Sequence, residues 1–153
     1  MENKKQFLQI SIIAFVLSLV TQILCTIILL ARPTVTDFLI YAILNVLYNL
    51  VNFAITPILV FTGFYFVGKN PNLKFKLKPI MLALIIGNIA SLLIGSILYP
   101  AMALPPSAFY FLSTFLGLIA YMLPSFLLSA LAGLSIGYIR RKKSTLPAEP
   151  ELS

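Results

Sequence analysis

The side chains best placed to do chemistry in this 153-residue chain form a polar stripe between residues 41 and 56. At about 100° per residue, these side chains fall within an arc of about 100° on a helix. Half of them are asparagines, whose amides need hydrogen-bond partners once they are removed from water. The stripe consists of Tyr41, Asn45, Tyr48, Asn49, Asn52 and Thr56. It predicts either a polar path for a solute or a set of amides that bridge to neighbouring helices.

A second polar face is predicted on the apolar stretch that precedes the stripe. Its members lie within an arc of about 60°, with Thr21 beside them. They are Ser11, Ser18, Gln22 and Cys25. We expect this face to meet the asparagine stripe across a short hairpin. Cys25, the single cysteine, is then a small packing residue, because no second cysteine and no base accompany it.

Small residues recur every four positions in the two later apolar stretches. This spacing opens a groove that lets two helix backbones approach closely in lipid. The candidates for close helix packing are Gly87, Ser91 and Gly95 in one stretch, and Ser125, Ser129, Gly133 and Gly137 in the next. Packing within one chain is preferred here to packing between two copies.

The groups that catalysis requires are missing from all of these stretches. No Asp, Glu, His, Lys or Arg lies inside them, and the chain contains no histidine at all. A Ser, Thr or Cys nucleophile needs an activating base, and a metal site needs a cluster of His, Cys or carboxylate ligands. We therefore predict no enzymatic activity, no catalytic residue, no metal site and no cofactor.

The helices that carry the polar stripes are predicted from the stretches of sequence that contain no charged residue. The chain is 60% hydrophobic and 10% charged, with four charge-free stretches at 6–31, 38–68, 79–106 and 107–139. Each exceeds the roughly 20 apolar residues that cross a bilayer as a helix. The sequence predicts an all-α polytopic integral membrane protein with four transmembrane helices in an up-down bundle. The predicted spans cover residues 7–30, 38–67, 80–99 and 109–139 of a domain at 1–143, and a disordered tail covers 144–153.

Orientation follows from the distribution of positive charge. Ten of the eleven Lys and Arg residues lie at the N-terminus, in the segment 69–78 or at 140–143, and only Arg32 falls on the opposite side. This asymmetry predicts a cell-membrane protein with both termini in the cytoplasm and a first span that is retained. Lys74, Lys76 and Lys78 alternate with apolar residues, a pattern suited to anionic inner-leaflet lipid head groups or to anchoring the topology alone. The +7 net charge does not indicate a nucleic-acid partner, because it forms no basic face on a soluble domain.

Two function classes remain open from these observations. The first is a packing, accessory or scaffold subunit that works through helix–helix contacts with a membrane protein partner or with a second copy. The second is a small carrier or pore for a neutral or weakly polar solute that uses the asparagine stripe. Pro57 and Pro124 interrupt two of the apolar stretches, which is typical of transporter sites but also common in simple kinked helices.

Overall fold

A computed structural model of the chain describes residues 2–31, 38–103 and 108–144. The described residues are all-helical, and four helical stretches are long and apolar enough to cross a membrane. The helices are α1 (Glu2–Ala31), α2 (Phe38–Leu50), α3 (Thr56–Gly68), α4 (Leu77–Ala103) and α5 (Ala108–Ser144). A π-helical turn, Val51–Ile55, joins α2 to α3, so these three elements together correspond to the second predicted span.

Several helices extend beyond the limits that the sequence predicts for the spans. Helix α1 begins at Glu2, and α5 continues through the basic cluster to Ser144. Helix α4 runs past Tyr99 and through Pro100 to Ala103. Loss of apolar character ends a membrane span but does not end a helix, because Lys, Arg and Glu have good helix propensity. Apart from Ser144, the predicted tail lies outside the described residues.

The hydrophobic core lies where α1, α3, α4 and α5 pack together. Its fully buried members include Ala14, Phe64, Leu84 and Leu134, one from each of these helices. Phe64 meets Phe126 edge to face, with ring centroids 6.2 Å apart and an interplanar angle of 83°. Such aromatic pairs add to the dispersion energy of the packed side chains. Helix α2 contributes no buried residue to the core.

Glycines allow close helix approaches at several described positions. A Cβ atom on Gly87 of α4 would overlap the backbone carbonyl oxygen of Ser11 in α1. A Cβ atom on Gly133 of α5 would likewise overlap the carbonyl oxygen of Phe61 in α3, and one on Gly137 would overlap that of Tyr65. The small faces of the third and fourth spans thus pack within the chain. They receive α1 and α3 respectively, and Ser125 and Ser129 of the same face are half-buried.

The basic segments meet at one end of the molecule. The Gln6 side chain bonds to the Lys74 backbone, with its Nε2 donating to the carbonyl oxygen at 2.9 Å and its Oε1 accepting from the amide at 3.4 Å. Arg141 donates to the carbonyl oxygens of Asn70 and Leu73. Arg140 donates to the Tyr65 hydroxyl at 3.3 Å. These contacts tie the start of α1, the loop after α3 and the end of α5 together.

Candidate functional site

Four buried polar side chains form a hydrogen-bonded group between α1 and α4, which we call the polar seam. Its members are Ser18 and Gln22 of α1 and Asn88 and Ser91 of α4, each less than 5% exposed. Gln22 Nε2 donates to Ser91 Oγ at 2.7 Å and to Ser18 Oγ at 3.1 Å. Asn88 Nδ2 also donates to Ser18 Oγ, at 3.0 Å. The Ser18 hydroxyl therefore accepts from two amides at once and is the centre of the seam.

The sequence builds the polar seam from helical spacing and one glycine. Ser18 and Gln22 are four residues apart, and Asn88 and Ser91 are three apart, so each pair lies on one face of its helix. Gly95 follows on the same face of α4, and a Cβ atom there would overlap Gln22 Oε1. The absence of a side chain at Gly95 thus makes room for the glutamine between the two helices.

Three buried side-chain oxygens on α1 and α4, two of them in the polar seam, have no hydrogen-bond partner among the described residues. They are Gln22 Oε1, Asn88 Oδ1 and Ser11 Oγ. Exchanging the oxygen and nitrogen of either amide would only replace an unpaired acceptor by unpaired donors. Buried carbonyl oxygens of this kind commonly bind ordered water when there is room for it. The polar seam therefore contains more hydrogen-bond acceptors than its own donors satisfy.

A second polar contact joins α1 to the π-helical turn. The Cys25 thiol donates to Asn52 Oδ1 at 3.3 Å, and Asn52 Nδ2 donates to the carbonyl oxygen of Tyr48 at 3.1 Å. Cys25 and Asn52 are both buried. The predicted meeting of the two polar faces thus occurs at one contact, whereas Ser18 and Gln22 turn to α4 instead.

The π-helical turn has an identifiable cause in Pro57. Proline has no backbone N–H and its ring clashes with the carbonyl group four residues earlier, here that of Phe53. The chain responds by closing a wider turn, in which the Thr56 N–H bonds to the carbonyl oxygen of Val51. The Thr56 hydroxyl donates to the same oxygen at 2.7 Å. Such π turns are rare and are frequent at functional sites.

The π-helical turn divides the predicted asparagine stripe into two parts. A π turn closes one residue later than an α turn, so residues after it are rotated relative to residues before it. Asn52 and Thr56 are consequently buried, while Asn45 and Asn49 are exposed on α2. Tyr41 is exposed and Tyr48 is half-buried, and both of them, like Asn45, have interaction partners. No hydrogen bond joins the Asn49 amide to another described residue.

Sequence reasoning missed Asn88 and Ser96, which are almost completely buried in α4. Ser96 Oγ donates to the carbonyl oxygen of Leu93 at 2.8 Å, a local bond that needs no partner helix. Asn88 could have been found, because it lies three residues before Ser91 in a charge-free span. An amide at that spacing from a small polar residue indicates an interhelical contact.

The polar seam consists of amides and hydroxyls that bond to one another across a helix interface. Among the described residues, no group of three His, Cys, Asp or Glu side chains is placed to hold a metal ion. The seam hydroxyls contact amides, which do not act as bases. Comparison with known proteins finds no match to the chain among protein-family models, curated proteins or solved structures.

Proposed function

We propose that this protein is a multi-pass membrane subunit that acts through helix–helix contacts, as a packing, accessory or scaffold component. The observation that carries the proposal is the position of Asn49. Its amide is exposed on α2, the helix that contributes no buried residue. An amide in hydrocarbon needs a hydrogen-bond partner, and an interhelical hydrogen bond in a membrane contributes about 0.6–2 kcal/mol, so a transmembrane helix docked on α2 would be favoured by pairing with Asn49.

The residues beside Asn49 support a docking role for this face. Val46 and Phe53, three positions before it and four after it, are 66% and 62% exposed. Val46 and Asn49 lie on the same side of α2, because residues three apart are neighbours on an α-helix, and Phe53 follows in the π-helical turn. The face thus combines an amide for specificity with large apolar side chains for dispersion contact, which is the combination that helix association in lipid uses.

The proposed topology is an up-down bundle in the cell membrane with both termini and the 69–78 segment in the cytoplasm. It is supported by the gathering of the basic segments at one end, since positive loops are retained on the cytoplasmic side. Single cysteines in a Cys25→Ser background test this arrangement with a membrane-impermeant thiol reagent. We expect Asn72→Cys to react only after the cell membrane is opened and Val35→Cys to react on intact cells.

Replacement of Asn49 by leucine tests the docking role. Because the Asn49 side chain is exposed and has no hydrogen-bond partner among the described residues, Asn49→Leu should leave the unfolding midpoint in detergent unchanged. The fraction of the protein that is photo-crosslinked into a larger complex in native membranes should fall at least fivefold, since the hydrogen bond to the partner is lost. Thr62→Leu, which removes an exposed polar group from α3, serves as the matched control and should keep the complex. Equal crosslinking of all three proteins would contradict the proposal.

A carrier or pore for a neutral or weakly polar solute is the second candidate function. The observation in its favour is the pair of buried oxygens without partners, Gln22 Oε1 and Asn88 Oδ1. Such groups could line a hydrated path between α1 and α4. The asparagine stripe offers less support for it, because only Asn52 and Thr56 of its members are buried.

A further inference from the structure

A groove opens at the basic end of the molecule, between the start of α1 and the end of α3. Its volume is about 740 Å³, within the range of small-molecule binding sites. The loop that follows α3 closes one side of it through Asn70, Asn72 and Leu73. Gln6 holds this loop in place through its two hydrogen bonds to the Lys74 backbone. One side of the groove is therefore held in position by hydrogen bonds within the chain.

The groove has an apolar part and a polar part. Ile12, Ile13 and Phe66 line it, and two of them are strongly exposed, Ile12 at 52% and Phe66 at 65%. Lys5, Gln9 and Asn72 also line it, and all three are exposed. Along α1 the order is thus a cation, an amide and then branched apolar side chains. These side chains match, in the same order, the charged head group, the polar interface and the acyl region of a lipid.

Charge determines which lipid the groove suits. No acidic side chain is among the residues that line it, and Lys5 is exposed. A lysine near the membrane surface favours an anionic lipid by about 1 kcal/mol. An anionic phosphate would accept hydrogen bonds from the Lys5 ammonium and from the Gln9 and Asn72 amides.

We propose that this groove binds one anionic glycerophospholipid of the cytoplasmic leaflet. The phosphate lies at Lys5, Gln9 and Asn72, and an acyl chain lies along Ile12 and Phe66. The proposal rests on the proposed function in one respect, namely that the basic end lies at the inner membrane surface. A bound lipid would also cover the exposed side chains of Ile12 and Phe66.

The test is lipid retention measured by native mass spectrometry of the full chain released from mixed micelles. The micelles contain equal amounts of phosphatidylglycerol and phosphatidylcholine. We expect the unaltered protein to retain phosphatidylglycerol about fivefold over phosphatidylcholine, the ratio that corresponds to about 1 kcal/mol for one lysine. Lys5→Gln should abolish this preference, and Gln9→Glu should abolish it as well, because the new carboxylate offsets the charge of Lys5 beside the phosphate. Lys143→Gln, which removes an exposed charge outside the groove, should keep the preference.

Three results would overturn the lipid site. The first is an equal loss of preference in Lys5→Gln and Lys143→Gln, which would mean that the whole basic end attracts anionic lipid without a specific site. The second is retention of neither lipid, and the third is displacement of the lipid by glycerol phosphate at equal concentration, which would identify a site for a soluble phosphate. The cysteine labelling described above separates these results from failure of the membrane topology. A correct labelling pattern without lipid preference rejects the groove alone.

Discussion

Gly133→Leu should separate α3 from α5 and lower the stability of the protein. A side chain at this position would overlap the carbonyl oxygen of Phe61, a backbone atom that cannot rotate away. Overpacking of a core typically costs about 1–3 kcal/mol, and a clash with backbone lies at the upper end of that range. Thermal unfolding in detergent, followed by circular dichroism, should therefore show a lower midpoint.

Gly117 provides the matched control for this substitution within the same helix. A Cβ atom on Gly117 would meet no atom of the described residues within 4 Å, apart from the adjoining backbone of its own helix. Gly117→Leu should thus leave the midpoint unchanged or raise it, because glycine in a helix is about 0.8–1.0 kcal/mol less favourable than alanine, and leucine ranks next to alanine. If Gly133→Leu and Gly117→Leu unfold at the same temperature, α3 and α5 do not pack as described.

Ser18→Ala is the second change for which we expect a large effect. The Ser18 hydroxyl accepts from both Gln22 Nε2 and Asn88 Nδ2, so its removal leaves two buried amide donors short of an acceptor. Leaving one buried polar group unsatisfied costs about 1–3 kcal/mol. The free energy of unfolding should fall by an amount in this range, measured by denaturant titration in detergent.

Ser11→Ala is the control for the loss of a hydroxyl from the same face of α1. Ser11 Oγ is buried and has no partner among the described residues, so its removal sacrifices no described hydrogen bond. This variant should be as stable as the parent or slightly more stable, since the desolvated hydroxyl is gone. Equal destabilisation by Ser11→Ala and Ser18→Ala would show that the polar seam does not hold α1 against α4.

The helical spans could be predicted because absence of charge over 20 or more residues is a strong signal. Their contacts were harder to predict. The spacing of Gly87, Ser91 and Gly95 indicates close packing, but it does not identify the helix that fits the groove. The sequence order suggested that Gln22 would face the asparagine stripe, whereas it donates to Ser91 of α4. Contacts between distant segments depend on how all the helices pack. The residue pattern on one helix face does not identify the helix that packs against it.

The division of the asparagine stripe shows a different limit of sequence reasoning. The prediction of one stripe requires an unbroken α-helical period from Tyr41 to Thr56. Pro57 indicated an interruption, but a proline can produce a kink, a break or a wider turn, depending on what neighbouring groups can bond. Here Thr56 supplies both its N–H and its hydroxyl to the Val51 carbonyl, and the π-helical turn results. The different exposures of Asn49 and Asn52 follow from that local choice.

We expect the buried polar groups to hold helices together and not to line a solute path. The decisive measurement is the efflux of glycerol and urea from liposomes that contain the purified protein alone, followed by stopped-flow light scattering. We predict efflux rates equal to those of protein-free liposomes, for both the parent protein and Gln22→Leu. Faster efflux with the parent protein that returns to the protein-free rate in Gln22→Leu would contradict this claim and establish the carrier or pore.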